Sequence, residues 1–267
     1  MSLTELFLER SLKDKSLAQN LPLALRRGET YQRRERIDEL LGEHWTGRKA
    51  WLRSDGEEGD KKFTYGEVTP MGARQLIEIM ELETLDEENE DQEFSVSAAE
   101  DPVVFYDLGS GAGKLVVQMF LENVVTSSVG IELSTNRHSL AEEAWGNLQK
   151  SSAISRKYAT YKVQQQGEHC AEVPRVRFIN EDFLDADFTD ATHLFVSSLC
   201  FPENLTTKIT ERIVKNHQEL GRLKFVAALS DLTLLENDEN KEYWKKSYEL
   251  VHMTWGLSNT RVYKYIG

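Results

Sequence analysis

Val103-Val104-Phe105-Tyr106-Asp107-Leu108-Gly109-Ser110-Gly111-Ala112-Gly113-Lys114 is the stretch on which the fold turns. The run is apolar up to Asp107, passes through three glycines at alternate positions, and re-emerges as the apolar helix pattern of Leu115 to Phe120. Such an order predicts a buried parallel strand, a tight glycine turn and a helix N-terminus. Glycine has no Cβ and tolerates positive φ, so a ligand can approach this backbone closely.

The spacing selects the kind of ligand. A dinucleotide fingerprint reads G-x-G-x-x-G and faces a pyrophosphate with the helix N-terminus. Here the glycines read G-x-G-x-G and Asp107 stands just before them. A carboxylate there repels a phosphate and suits a cationic group such as an α-ammonium. The Walker pattern fails as well, because Leu115 follows Gly113-Lys114 and Leu108 occupies the place of its first glycine. The arrangement resembles motif I of class I S-adenosylmethionine-dependent methyltransferases. Thr126 to Leu133 then reads as a second strand ending in an acid, with Ser134 as the N-cap of a long helix. Glu132 lies about twenty residues past the turn, where an acid can accept both ribose hydroxyls. An exposed glutamate at a strand end is the plainer reading. Strand position, spacing and glycine turn agree, so the ligand reading is preferred.

The 267 residues suffice for one large α/β domain and a smaller N-terminal element. At 40% hydrophobic and 29% charged residues the chain has the balance of a folded, soluble protein. No apolar run approaches the eighteen or so residues needed to span a bilayer. Charges interrupt the apolar N-terminal stretch, so no secretory signal is expected. Cys170 and Cys200 form no metal-ligand spacing, so reduced thiols in an intracellular protein, and no metal, are expected. A net charge of −13 argues against a broad basic face for DNA and is better matched to a basic partner.

Residues 1–62 read as an N-terminal helical and charged segment, and 63–267 as the catalytic-type α/β domain. Arg26, Arg27, Arg33, Arg34 and Arg36 form a basic cluster, read either as a solvated helix face or as a contact for phosphate or acidic protein. Neighbouring acids dilute it, and no aromatic residues interleave it as in single-strand binders. Tyr65-Gly66-Glu67 lies in a loop before a helix whose face is Ala73, Leu76, Ile77 and Met80, with Thr69 as cap and Pro70 first. Residues 81–101 carry ten acids and neither Lys nor Arg, and Glu87 to Glu93 is read as a mobile solvated loop. Residues 155–175 are read as an insertion or extended connection. Val176 to Phe183 is a strand that delivers Asp182 and Phe183 to the same edge as Asp107 and Glu132. There an acid can accept an adenine amino group and an aromatic can cover the ring; alternatively Asp182 starts a turn. Ala191 to Ser198 is a fourth strand, with Leu199-Cys200-Phe201-Pro202 in the loop over the crevice. His193 within it is read as packed or edge-exposed rather than catalytic. A helix from Leu205 to Leu220 and a strand from Lys224 to Leu229 follow. Tyr248 to Trp255 and Thr260 to Ile266 read as strands around Gly256-Leu257-Ser258-Asn259.

With Tyr65-Gly66-Glu67, Asp107-Leu108-Gly109-Ser110-Gly111 and the late Trp255 to Tyr263 hairpin in view, residues 60–267 resemble one family. These are the disruptor-of-telomeric-silencing histone lysine methyltransferases, which use a class I rather than a SET fold. The resemblance implies a Rossmann-like sheet, seven-stranded and mostly parallel, with an antiparallel C-terminal hairpin. It implies that the Tyr65-Gly66-Glu67 loop walls the cofactor and lysine channel. Asp107 to Gly111 would hold the methionine part of S-adenosylmethionine, with Gly113 completing the turn. Glu132 would bind ribose, and Tyr263 would line the lysine channel. Two departures stand out. Ser197-Ser198-Leu199-Cys200-Phe201 replaces the family's paired asparagines and Phe-x-Phe, which alters the polar contact near the reactive methyl. The Lys- and Arg-rich extension that anchors some members to nucleosomal DNA is absent.

The implied reaction is an in-line displacement by a neutral lysine amine on the sulfonium methyl. Tyr65, Phe201 and Tyr263 would form an aromatic channel, and Glu67 would position rather than accept a proton. The expected substrate is a basic protein, a histone H3 lysine in a nucleosome, which would make the protein nuclear. A non-histone protein or small-molecule acceptor, with a cytoplasmic location, is the alternative. A non-catalytic methyltransferase-like module that binds cofactor or partner is the third.

Overall fold

The computed structural model describes residues 31–45, 66–83, 94–95, 102–151, 160–164 and 170–267. Helix α1 covers Tyr31–Trp45 and α2 covers Pro70–Ile79. They are followed by β1 (Phe94–Ser95), β2 (Val104–Leu108), α3 (Lys114–Leu121), β3 (Ser127–Ile131) and α4 (Thr135–Lys150). Next come β4 (Thr160–Gln164), β5 (Cys170–Pro174), β6 (Val176–Ile179) and β7 (His193–Val196). Helix α5 (Glu203–Leu220), β8 (Phe225–Ala228), β9 (Trp244–Met253) and β10 (Gly256–Tyr265) complete the chain.

Seven strands form one sheet in the order β6-β3-β2-β7-β8-β10-β9. The first five run parallel, and β10 pairs antiparallel with both β8 and β9. This is the class I Rossmann-like sheet with its C-terminal hairpin. Every residue of β2, β3, β7 and β8 is buried, as a sheet covered by helices on both faces requires. The chain steps outward from β2 through β3 to β6, then crosses back to β7 on the other side of β2. That reversal opens a crevice at the C-terminal ends of β2 and β7, where open α/β sheets bind ligands.

Local signals start the helices as the sequence predicts. Thr69 caps α2 by accepting from the Gly72 N–H at 3.1 Å, with Pro70 next. Ser134 caps α4 by accepting from the Arg137 N–H. Ala73, Leu76, Ile77 and Met80 form the buried face of α2. In α1, Ile37, Leu40, Leu41 and Trp45 fall on one helical stripe and join the same core as Val116, Phe120, Leu140 and Leu148. Arg36, the described part of the basic cluster, is exposed and pairs with Glu39 at 3.8 Å.

The sequence reading and the structure differ in two places. The connection at 155–175 contains β4 and β5, which form a small sheet with β1. The hairpin strands are longer than expected and their turn is tighter. Met253 pairs with Gly256, so Thr254-Trp255 makes the turn and residues 256–259 belong to β10. The acidic segment from 84 to 101 lies outside the described residues except for the two residues of β1.

Candidate functional site

Gly109, Gly111 and Gly113 have φ of 86°, 57° and 75°, so the turn after β2 enters the left-handed region at every second residue. Non-glycine side chains are disfavoured there, which is why the glycines alternate. The turn leaves a cleft lined on one side by Asp107, Gly109, Ser110 and Gly111, and on the far side by Asp182, Phe183 and Phe201. Glu132 lines it as well.

Asp107 is only 4% exposed, and its Oδ1 has no hydrogen-bond partner. Burial, with the Glu132 carboxylate close by, pushes its pKa up to about 8. Glu132 is placed differently. Its Oε2 accepts from the Gly111 N–H and its Oε1 from the Ser134 N–H, both at 2.8 Å. The carboxylate is thereby pinned to the glycine turn, while each oxygen keeps a lone pair for a further donor. Asp182 lines the cleft and also starts a turn, accepting from the Leu184 N–H at 2.9 Å. Phe183 stacks on Phe201 with ring centroids 5.5 Å apart.

Gly66, Glu67 and Val68 form another wall. The hairpin turn holds them there. The Thr254 N–H donates to the Glu67 carbonyl at 2.9 Å, and the Glu67 N–H donates to Thr254 Oγ1 at 3.2 Å. Val68 bridges Met253, and the Thr69 N–H donates to the His252 carbonyl at 3.1 Å. Glu67 also forms an ion pair with Lys114, which spans from this loop to the glycine turn. Tyr65 lies outside the described residues.

Two expected site residues are placed elsewhere. Gly113 stands behind the turn, where a Cβ would lie 2.4 Å from Phe178 Cε1 and 2.9 Å from Ala141 Cβ. Its glycine serves packing at the start of α3. Tyr263 is fully buried in the core beneath the sheet edge and does not line the cleft. Its hydroxyl accepts from the Leu232 N–H and donates to Glu236, each at 2.8 Å, and burial raises its pKa. The reason is register: Tyr263 pairs with Val226 inside the sheet, two residues below the strand end at Ala228. His193 is packed as expected, stacked on Phe225, and burial pushes its pKa down to about 3.

Lys114, Arg137, Phe195 and Ser197 also line the cleft. Lys114 directly follows the last turn glycine, and Ser197 directly follows β7, so position alone could have flagged both. Arg137 needed the packing of α4 beside β6.

The family model described as Histone methylation protein DOT1 matches residues 92–247, more than half of the chain. The chain belongs to the DOT1 histone methylation family. A Caenorhabditis elegans protein named "Histone-lysine N-methyltransferase, H3 lysine-79 specific" is 26% identical to this DOT1-family chain over 221 residues. The match covers 76% of this chain and 20% of that protein, so the chain spans about a fifth of its relative's length. Among solved structures, the METTL16 MTase domain matches at 10% identity and a TM-score of 0.46, over 89% of this chain and 83% of that one. TrmK of M. capricolum, in complex with S-adenosyl-homocysteine, matches at 6% identity and a TM-score of 0.40, over 72% and 67%.

The cofactor of this DOT1-family chain is S-adenosylmethionine, and the cleft fits it on its own geometry. An unpartnered, buried carboxylate oxygen at Asp107 suits an ammonium. A Cβ at Gly109 would meet only Phe201 Cζ, at 4.0 Å, so the glycine leaves room beside the backbone.

Proposed function

We propose that this chain is a protein lysine N-methyltransferase acting on a histone, with a lysine of histone H3 in the nucleosome as acceptor. The observation that carries the reading is the unsatisfied Asp107 carboxyl beside the pinned Glu132, in a turn of alternating left-handed glycines. Family membership supports the histone acceptor, and the relative's printed specificity for H3 lysine-79 suggests the position. A nuclear location follows from that acceptor.

Asp107 would take the cationic amino end of the cofactor, Glu132 the ribose hydroxyls, and Asp182 with Phe183 the adenine. When bound, S-adenosylmethionine supplies a methyl group on a positively charged sulfur that leaves as a neutral thioether. The acceptor must arrive as a free amine, whose ordinary pKa is about 10.4. Phe201 and Phe195 form an apolar wall that disfavours an ammonium and so favours the neutral nucleophile. Glu67, anchored on Thr254 and Lys114, shapes the opposite wall and orients the incoming chain. Ser197 stands where the family's asparagine would make its polar contact, which favours a second reading with a different protein or small-molecule acceptor.

The test is transfer from tritiated S-adenosylmethionine to intact nucleosomes, free core histones and a cytosolic extract, with Gly111→Arg as the blank. Label on nucleosomal H3, lost in the variant, is expected. Label confined to the extract would move the acceptor elsewhere. Cofactor binding without label anywhere would leave a binding module.

A further inference from the structure

The wall formed by Ser197 and Phe201 has little structure of its own. The segment from 197 to 201 lies between β7 and α5 and carries two short backbone bonds. These run from the Ser198 N–H to Val196 O at 2.8 Å and from the Phe201 N–H to Ser198 O at 3.0 Å. Leu199, at its crest, is 51% exposed. Yet Phe201 must face Gly109 across the cleft and stack on Phe183, so its position sets the width of the channel.

Ser198 turns inward and is fully buried. Its Oγ accepts from the Ser230 N–H at 3.0 Å, and the two serine hydroxyls are 2.7 Å apart. Ser230 belongs to the irregular loop after β8, which is itself tied down from the edge hairpin. Tyr263 bonds the Leu232 N–H and the Glu236 carboxylate. Lys246 bridges Glu236 at 2.7 Å and Asp231 at 2.6 Å. Arg261 holds both oxygens of Asp231 at 3.2 Å and the Leu229 carbonyl at 3.0 Å. The hairpin thus holds the loop on both sides of Ser230, and the loop backbone carries that hold to Ser198.

We infer that Ser198, Ser230 and Tyr263 are positioning residues: their hydrogen-bond relay from the hairpin fixes Ser197 and Phe201 at the methyl-transfer wall. The inference rests on the methyltransferase reading above and concerns a different group of residues. Its physical basis is the cost of misplacing reacting groups, since small displacements in a near-attack geometry reduce turnover strongly. Tyr263 acts through its hydroxyl and not as part of the channel, because both hydrogen-bonding directions of that hydroxyl are already used.

Tyr263→Phe and Ser230→Ala each remove one hydroxyl and keep the packing. Each is expected to lower kcat on nucleosomes about ten-fold, with S-adenosylhomocysteine affinity within about three-fold of the parent. Ser230→Thr, which keeps the hydroxyl, should restore turnover. Amide hydrogen exchange on the same variants, with S-adenosylhomocysteine and no acceptor, should show faster exchange at Ser230, Leu232 and Phe201. Unchanged exchange at these amides overturns the relay. So does an equal loss of kcat, cofactor affinity and melting temperature, which would mark a purely structural role. If the parent protein labels no acceptor, the proposed activity fails, and the exchange experiment still decides the relay.

Discussion

Asp107 holds a proton up to about pH 8 in the cofactor-free protein, because burial and the Glu132 carboxylate both disfavour its charge. Its folded pKa lies above the ordinary carboxylate value, so the stability it contributes is complete below about pH 4. That contribution is lost progressively as pH rises towards about 8. A bound ammonium reverses the preference by pairing with the ionised form. Cofactor affinity should therefore increase as pH rises towards about 8. Asp107→Asn should raise the melting temperature of the free protein at neutral pH and flatten its pH dependence. The same change should weaken S-adenosylhomocysteine binding by on the order of 10- to 100-fold, the loss of one charge-assisted hydrogen bond in a dry site. Melting curves from pH 6 to 9 with and without ligand check this; an unchanged slope in the variant would refute it. At this scale the placing of Asp107 and Glu132 in one cleft was legible from residue type and spacing. The burial of Tyr263 was not, because an aromatic at a strand position can face either the cleft or the core.

The loop carrying Gly66 and Glu67 and the β9–β10 turn act as one element, although 187 residues separate Glu67 from Thr254. Gly66 is where they touch: a Cβ there would lie 2.0 Å from Trp255 Cζ3. Gly66→Ala drives its methyl into the half-exposed Trp255 ring and so pushes the loop and the hairpin turn apart at the cleft wall. Cofactor affinity should fall at least about ten-fold while melting temperature moves little, since few core residues are displaced. Calorimetric titration beside thermal melts would show a failure as unchanged affinity. Gly146, inside α4, is the control, with nothing within 4 Å of its Cβ position. Gly146→Ala should stabilise the protein by roughly 0.5–1 kcal/mol and leave binding alone. The sequence placed the hairpin but set its turn too late, because a glycine near a turn need not be in it. Gly256, at φ 120°, lies just after the two turn residues.

For the molecule as a whole, α1 is part of the methyltransferase core. Its Trp45 Nε1–H donates to the Ala112 carbonyl at 2.7 Å, bracing the back of the cofactor turn. Arg74 on α2 joins Asp38 on α1 to Glu122 at the end of α3, each at 2.7 Å. A truncation beginning at residue 63 follows the change in composition and removes the whole of α1. It should lose on the order of several kcal/mol of stability, from four buried apolar side chains, and bind cofactor weakly. A truncation beginning at residue 31 keeps α1 and should melt well above the one beginning at residue 63. Equal melting of the two shortened proteins would show that α1 contributes nothing.

The succession of strands and helices along the chain, the helix caps, the acid–glycine turn and the second acid are local patterns of apolar period, cap residue and glycine spacing, and the chain states them on its own. Three features needed the tertiary structure: the joining of Gly66 to Trp255, the seating of α1 behind Ala112, and the withdrawal of Tyr263 into the core. Each depends on which faces meet across distant segments and on strand register. A one-residue shift in register reverses a side chain's face, and no local pattern encodes that choice.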